Sequence, residues 1–252
     1  MVTQGGRLGA AQSFYFDICA DMFERLQVER CRHATLLARI AGEEAAGNEY
    51  PSSVTEEREA HRGCLALAVE IIVFANMCLE AAAYDYAAWH LGDAFTSAHL
   101  DRLDLIGKWT IIPRLIARND VELAPATYEL ERGLVRRRNA LVHHKSRSML
   151  WGAEELAKFA VAADKRERDT IFGAQGALKA VILLSLDLDR TMGGRTVNPL
   201  PAFGRDAPRH GPERHPSLGP LIDRCRLIDL RMRRKAGDPN RVDAGKRTSI
   251  AL

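Results

Sequence analysis

Cys64-Leu65-Ala66-Leu67-Ala68-Val69-Glu70-Ile71-Ile72-Val73-Phe74-Ala75-Asn76-Met77-Cys78-Leu79-Glu80-Ala81-Ala82-Ala83-Tyr84 is the longest apolar run in the chain, and the rest of the fold is read from it. It is long enough to cross a bilayer. Glu70, Asn76 and Glu80 interrupt it, however, and such groups are costly in hydrocarbon. The expectation is therefore a buried helix at the hydrophobic centre of a soluble protein. Asn76 and Glu80 are four residues apart and share a helical face, with Glu70 about 80° from Glu80 around the axis. Buried charge is tolerated when it is paired. This polar arc accordingly reads either as an ion-pairing surface for arginines of a neighbouring helix or as one wall of a polar cleft.

Working upstream, Ser53-Val54-Thr55-Glu56 fits a capping box that opens this helix, which is expected to run to about His90. Asn48 to Ser53 is a turn. Residues 12–46 carry Phe14, Ile18, Met22, Leu26, Leu36, Leu37 and Ile40 at helical spacing, which predicts a long first helix, unbroken or broken once. Downstream, the spacing predicts a short helix over 97–105 and an irregular helical connector around Lys108-Trp109 and Pro113. A helix over about 126–146 follows, opened by Pro125 as an N1 proline or, alternatively, capped by Thr127. A last helical stretch, Gly152 to Arg190, is expected to break near 164–169.

The fold class is thus all-α, an antiparallel helical bundle with additional helices. The segmentation is 1–50 for the N-terminal long helix, 51–193 for the helical core and 194–252 for a Pro/Gly/Arg-rich tail. Composition agrees, because the 252 residues are 46% hydrophobic with only 6% aromatic, and Ala, Leu, Arg and Glu favour helix over sheet. The net charge of +3 is unevenly placed: from Arg195 onward thirteen Lys or Arg face six Asp or Glu. The tail is basic and expected to be largely disordered apart from one amphipathic helix over 220–235. The body is slightly acidic.

Cys19, Cys31, Cys64, Cys78 and Cys225 form no CxxC pair, which suits thiols in a reducing compartment and predicts neither a disulfide framework nor a metal site. No secretory segment is expected at the N-terminus, and the localisation inferred is cytoplasmic, without membrane association.

The residues with chemical potential lie in Arg136-Arg137-Arg138-Asn139-Ala140-Leu141-Val142-His143-His144-Lys145, late in the 126–146 helix. On a wheel with Leu130 at zero, Leu134, Val135, Leu141 and Val142 define an apolar stripe, with Arg138 at about 80° in its middle. Arg136 and Arg137 fall off it, at about 240° and 340°. Asn139 and His143 form an i, i+4 pair beside the stripe. A guanidinium on an apolar face must meet a carboxylate, a cluster of carbonyls or a phosphate. With an imidazole for proton transfer and an amide to hold a substrate oxygen, these residue types suit metal-free RNA cleavage, in which the 2′-hydroxyl attacks the adjacent phosphorus. Arg138 and His143 lie about 140° apart on one helix, so a symmetric dimer is needed to bring both to one phosphate. In the structural alternative, Arg138 pairs with Glu80 or Glu131 and the histidines are surface residues.

Arg138-Asn139-Ala140-Leu141-Val142-His143, placed late in an amphipathic helix opposite a long apolar one, resembles the Arg-Asn-x-x-x-His motif of HEPN domains. The similarity extends loosely over about Thr55 to Arg190, including Asn76 within the apolar helix and the Lys108-Trp109 connector. The spacings Arg205 to His210 and Arg209 to His215 lie among prolines and glycines and are set aside. The resemblance implies a four-helix core that dimerises with two motifs facing a shared cleft. It also implies a metal-independent endoribonuclease, needing no cofactor, with roles in toxin–antitoxin systems, phage defence or RNA processing. On that reading Arg138 stabilises the phosphate, His143 transfers the proton and Asn139 positions substrate. Arg137, His144, Lys145, Asn76 and Glu80 are the supporting or substrate-binding candidates, and His144 paired with Arg137 or Arg138 is the alternative working histidine.

HEPN toxins controlled by a nucleotidyltransferase antitoxin usually carry a tyrosine two residues after the histidine. Lys145 stands there in this chain, which speaks against that form of control and leaves another antitoxin or regulatory partner open. Two non-enzymatic readings stand beside the ribonuclease. One is a helical HEPN-like module that binds or regulates without catalysis. The other is an adaptor whose basic tail binds nucleic acid.

Overall fold

The computed structural model describes residues 11–117, 123–143, 152–192, 197–204 and 215–236. Among the described residues the regular structure is all helix, with no strand. Helix α1 (Ala11–Ala45) is followed by α2 (Val54–Leu91), a short α3 (Asp93–Phe95) that continues as a π-helical turn over Thr96–Leu100, α4 (Leu105–Ala117), α5 (Pro125–Val142), α6 (Ala153–Met192) and α7 (Leu218–Ala236).

α2 is the axis of the bundle. Leu67, Ile71, Ile72, Cys78 and Leu79 are buried, and Ala60, Ala68, Ala75, Ala82, Ala83 and Ala87 are wholly inaccessible. Small side chains around the helix let neighbours approach from several sides. α1 lies antiparallel to it: the Cys19 thiol meets Ile71 O at 3.6 Å, and His33 meets Glu57 at 2.7 Å. α6 runs parallel to α2, since His61 bonds Glu167 and Tyr86 donates to Met192, each pair 106 residues apart. α5 is antiparallel to α6, with Ala124 beside Asp187 at its start and Arg137 beside Gly173 near its end. The chain order α1, α2, α5, α6 therefore alternates in direction, which is the up-and-down arrangement of an antiparallel bundle.

Two helices, over 54–91 and 154–192, are long and apolar enough to cross a membrane. Half of the most apolar window of the first and 72% of that of the second are buried inside the fold.

Several local expectations change. Ser53 forms no capping box: its φ and ψ are helical (−85° and −3°), and its hydroxyl donates instead to Glu43 Oε1 at 3.1 Å. The same carboxylate accepts the Ser52 amide at 2.7 Å, so Glu43 fastens the α1–α2 turn. No break occurs at 164–169. α6 continues through that charged run, where the exposed i, i+4 pair Asp164–Arg168 closes at 2.7 Å. The connector around Lys108-Trp109 is a regular helix with Pro113 inside it.

The packed core does not stop at residue 193. Leu200, Phe203, Leu218, Leu221, Ile222 and Cys225 are all buried in it, and Phe203 packs edge-on against Phe16 at 5.2 Å. The amphipathic helix expected over 220–235 is thus α7, seated on α6 through Arg190, which pairs with Asp187 and lies 3.7 Å from Asp229. α1 shares the same core, so the boundary drawn at residue 50 separates no packed unit. Four of the five cysteines are buried and Cys31 is exposed; all are free thiols.

Candidate functional site at the end of helix α5

α5 begins where the sequence indicates. Ala124 is the N-cap residue and Pro125 follows in the first turn, where a missing amide hydrogen costs nothing. Asp187 of α6 accepts the Ala124 amide at 2.6 Å, placing a carboxylate at the positive end of the helix. This contact clamps the beginning of α5 to α6. The opposite end carries the motif.

The wheel predicts the buried face well in the first two thirds of α5 and less well after that. Leu134, Thr127 and Glu131 are all at most 1% exposed. Arg138 is on the same arc but half-buried, because the core ends beneath it, and Val142 is 51% exposed. The Arg138 guanidinium donates to Asn139 Oδ1 at 3.1 Å, on the surface. His143 is the exposed C-cap residue, its backbone amide bonded to Asn139 O at 2.9 Å. The structure thus brings Arg138 and Asn139 together and sets His143 one turn on. His144 and Lys145 lie outside the described residues.

The α2 candidates do not join them. Glu80 is held by Lys108 of α4, Nζ to Oε2 at 2.6 Å, with Asp101 3.6 Å from the same ammonium. Asn76 is buried and Glu70 is exposed, so the three polar groups of that helix form no common wall. Pairing of Arg138 with Glu80 or Glu131 is not the arrangement found. Glu131 is wholly buried and, among the described residues, has no hydrogen-bond partner on either oxygen, and burial pushes its carboxyl up to about 8.

Between α5 and α6 a groove of about 370 Å³ adjoins the motif. Arg136, Arg137 and Leu141 supply one side, Lys165 and Arg166 the other, and Ile72 of α2 part of its lining. The sequence reading proposes Arg137 as a supporting residue but misses Lys165 and Arg166, which it places at a helix break. An uninterrupted α6 is what lifts them alongside the motif helix. Among the described residues no cluster of His, Cys, Asp and Glu is arranged to hold a metal ion.

Among the described residues this end of the molecule carries the His143 imidazole, the Asn139 amide, the Asp169 carboxylate and several guanidinium and ammonium groups. It offers several hydrogen-bond donors to an anion. No protein-family model, no curated protein and no solved structure matches this chain.

Proposed function

We propose that the protein is a metal-independent endoribonuclease of HEPN type, acting at the C-terminal end of α5 in a cleft shared by two copies of the chain. The observation that carries this reading is the placement of Arg138, Asn139 and His143 together on the accessible end of one helix, beside a groove walled by Arg136, Arg137, Lys165 and Arg166. A structural role for Arg138 would call for a buried carboxylate, whereas Glu80 is taken by Lys108 and Arg138 donates to surface Asn139.

In the proposed reaction His143 removes the proton from a ribose 2′-hydroxyl. The 2′-oxygen forms a bond to the adjacent phosphorus as the bond from phosphorus to the 5′-oxygen breaks, and that leaving oxygen takes a proton from an imidazolium. The products are a 2′,3′-cyclic phosphate and a 5′-hydroxyl. Arg138 donates to the phosphoryl oxygens as charge accumulates on them, and Asn139 holds substrate. Because Arg138 and His143 diverge by about 140° on one helix, a second copy related by a two-fold axis supplies the complement. A cytoplasmic setting, with a role in toxin–antitoxin or phage-defence systems under a regulatory partner, fits such an activity.

The test is incubation of the purified protein with RNA in EDTA. Cleavage that leaves 2′,3′-cyclic phosphate ends and disappears in His143→Ala supports the mechanism. A metal requirement, or full activity in that variant, refutes it.

A further inference from the structure

We infer that the α5–α6 groove is a preformed binding track for the RNA phosphodiester backbone, and that Arg137, seated in a slot made by glycines of both helices, is its fixed phosphate-contacting residue. The inference rests on the ribonuclease reading for the identity of the ligand, and its geometry stands apart from the catalytic trio.

Arg137 is exposed, and its stem lies against a bare stretch of α6. A methyl group added at Gly173 of α6 would stand 2.7 Å from Arg137 Cδ and 2.8 Å from its Nε. One added at Gly133 of α5 would stand 3.0 Å from its Nη1, and one at Gly176 would stand 3.9 Å from the same atom. The aliphatic stem therefore lies across α6 where a side chain is missing, and the guanidinium passes between two further glycines. Contact of the stem with α6 restricts part of the side chain's rotamer freedom before any ligand arrives.

The charge of the groove lining is predominantly positive. Four cationic residues line the groove, and Asp169 is the acidic residue among its lining. The neighbouring carboxylates of α6 are engaged elsewhere, Asp164 with Arg168 at 2.7 Å and Glu167 with His61 at 2.8 Å. Among the described residues Arg137 takes part in no ion pair. A held guanidinium beside further cations fits a chain of phosphates, which it meets in fork geometry. Ile72 and Leu141 add apolar surface to the same lining, which suits a ribose or base edge next to the phosphate.

Gly173 makes the inference testable without weakening the fold. Alanine is a better helix former than glycine, so Gly173→Ala should keep or raise the melting temperature while its methyl group expels the Arg137 stem. The probe is a 2′-O-methylated single-stranded RNA, which cannot be cleaved by 2′-hydroxyl attack, titrated against the full chain over a range of salt concentrations. Arg137→Ala should weaken binding about tenfold and reduce the slope of log affinity against log salt by about 0.7, the share of one phosphate contact on a single strand. Gly173→Ala should shift both quantities in the same direction by less. Unchanged affinity and slope in Arg137→Ala overturn the track; a Gly173→Ala protein that binds like wild type overturns the slot. Wild-type binding without cleavage of natural RNA defeats the catalytic reading and leaves the groove standing, whereas cleavage with no effect of Arg137→Ala on binding does the reverse.

Discussion

The α2–α6 interface and the C-terminal end of α5 are built on opposite principles. Along α2 and α6, inaccessible alanines, leucines and isoleucines are matched against one another, and polar groups are few. At the end of α5 the core runs out beneath Arg138, Val142 is exposed and the groove is walled by cations. The first region stores stability and has little chemistry to offer. The second gains little from burial and concentrates donors that a packed protein ordinarily pairs off. The proposed site lies where burial contributes least to stability, and substitutions in the two regions should separate cleanly.

The largest effect is expected in the core. Leu178 of α6 is wholly inaccessible, so Leu178→Ala should cost about 2–5 kcal/mol in chemical denaturation, through lost transfer energy and a residual cavity. A cost below about 1 kcal/mol would mean that the α2–α6 interface is loosely packed and the contrast overstated.

Glu131 sharpens the comparison, because it is a carboxylate placed inside the first environment on the helix that carries the second. Burial raises its folded-state value to about 8, above that of an unfolded carboxylate. The folded protein then binds a proton that the unfolded chain has released. Its contribution is fully present below the ordinary carboxylate value and is lost as pH rises through about 8. Wild type should therefore lose stability on the order of a few kcal/mol between pH 5 and pH 8.5 from this group. Glu131→Gln should remove that slope and be the more stable protein at the alkaline end. Equal pH dependence in the two proteins, followed by urea unfolding, would show that Glu131 does not titrate in this way.

Lys108 sits between the two regimes, nearly buried itself but joined to a Glu80 that is 37% exposed. Because water reaches the carboxylate, Lys108→Ala should cost only about 1 kcal/mol by the ion pair, plus some lost packing of the stem. A loss as large as that of Leu178→Ala would place the pair inside the core.

How much of this was legible in the sequence follows the same division. The central helix, its start and the Pro125 opening of α5 could be read directly, because apolar period and proline position act locally. What failed depended on partners distant in sequence. Ser53 has the right neighbours for a capping box, but Glu43 of the preceding helix takes its hydroxyl. The run 164–169 looks like a break because its charges have no apolar period, yet the helices on both sides carry it through. The wheel singled out Arg138 by angle alone, since it treats a helix as equally buried along its length. It passed over Arg137, whose slot exists only once Gly173 of another helix is beside it. The candidate residues on α5 can be picked out by residue type, whereas the groove cannot, because half of it belongs to α6.

The smallest stability effect belongs to His143. Its ring is exposed at the helix terminus, and its backbone amide makes the bond to Asn139 that any residue there would make. His143→Ala should therefore change the unfolding free energy by no more than about 0.5 kcal/mol, while removing RNA cleavage altogether if the imidazole moves the proton. That pairing of outcomes is what distinguishes the end of α5 from the rest of the molecule. A substitution there that lowers stability as Leu178→Ala does would make His143 part of the scaffold. A variant with unchanged stability and unchanged cleavage would leave the exposed end of α5 as a surface without chemistry. Thermal unfolding and the EDTA cleavage assay, run on the same preparation, read both quantities.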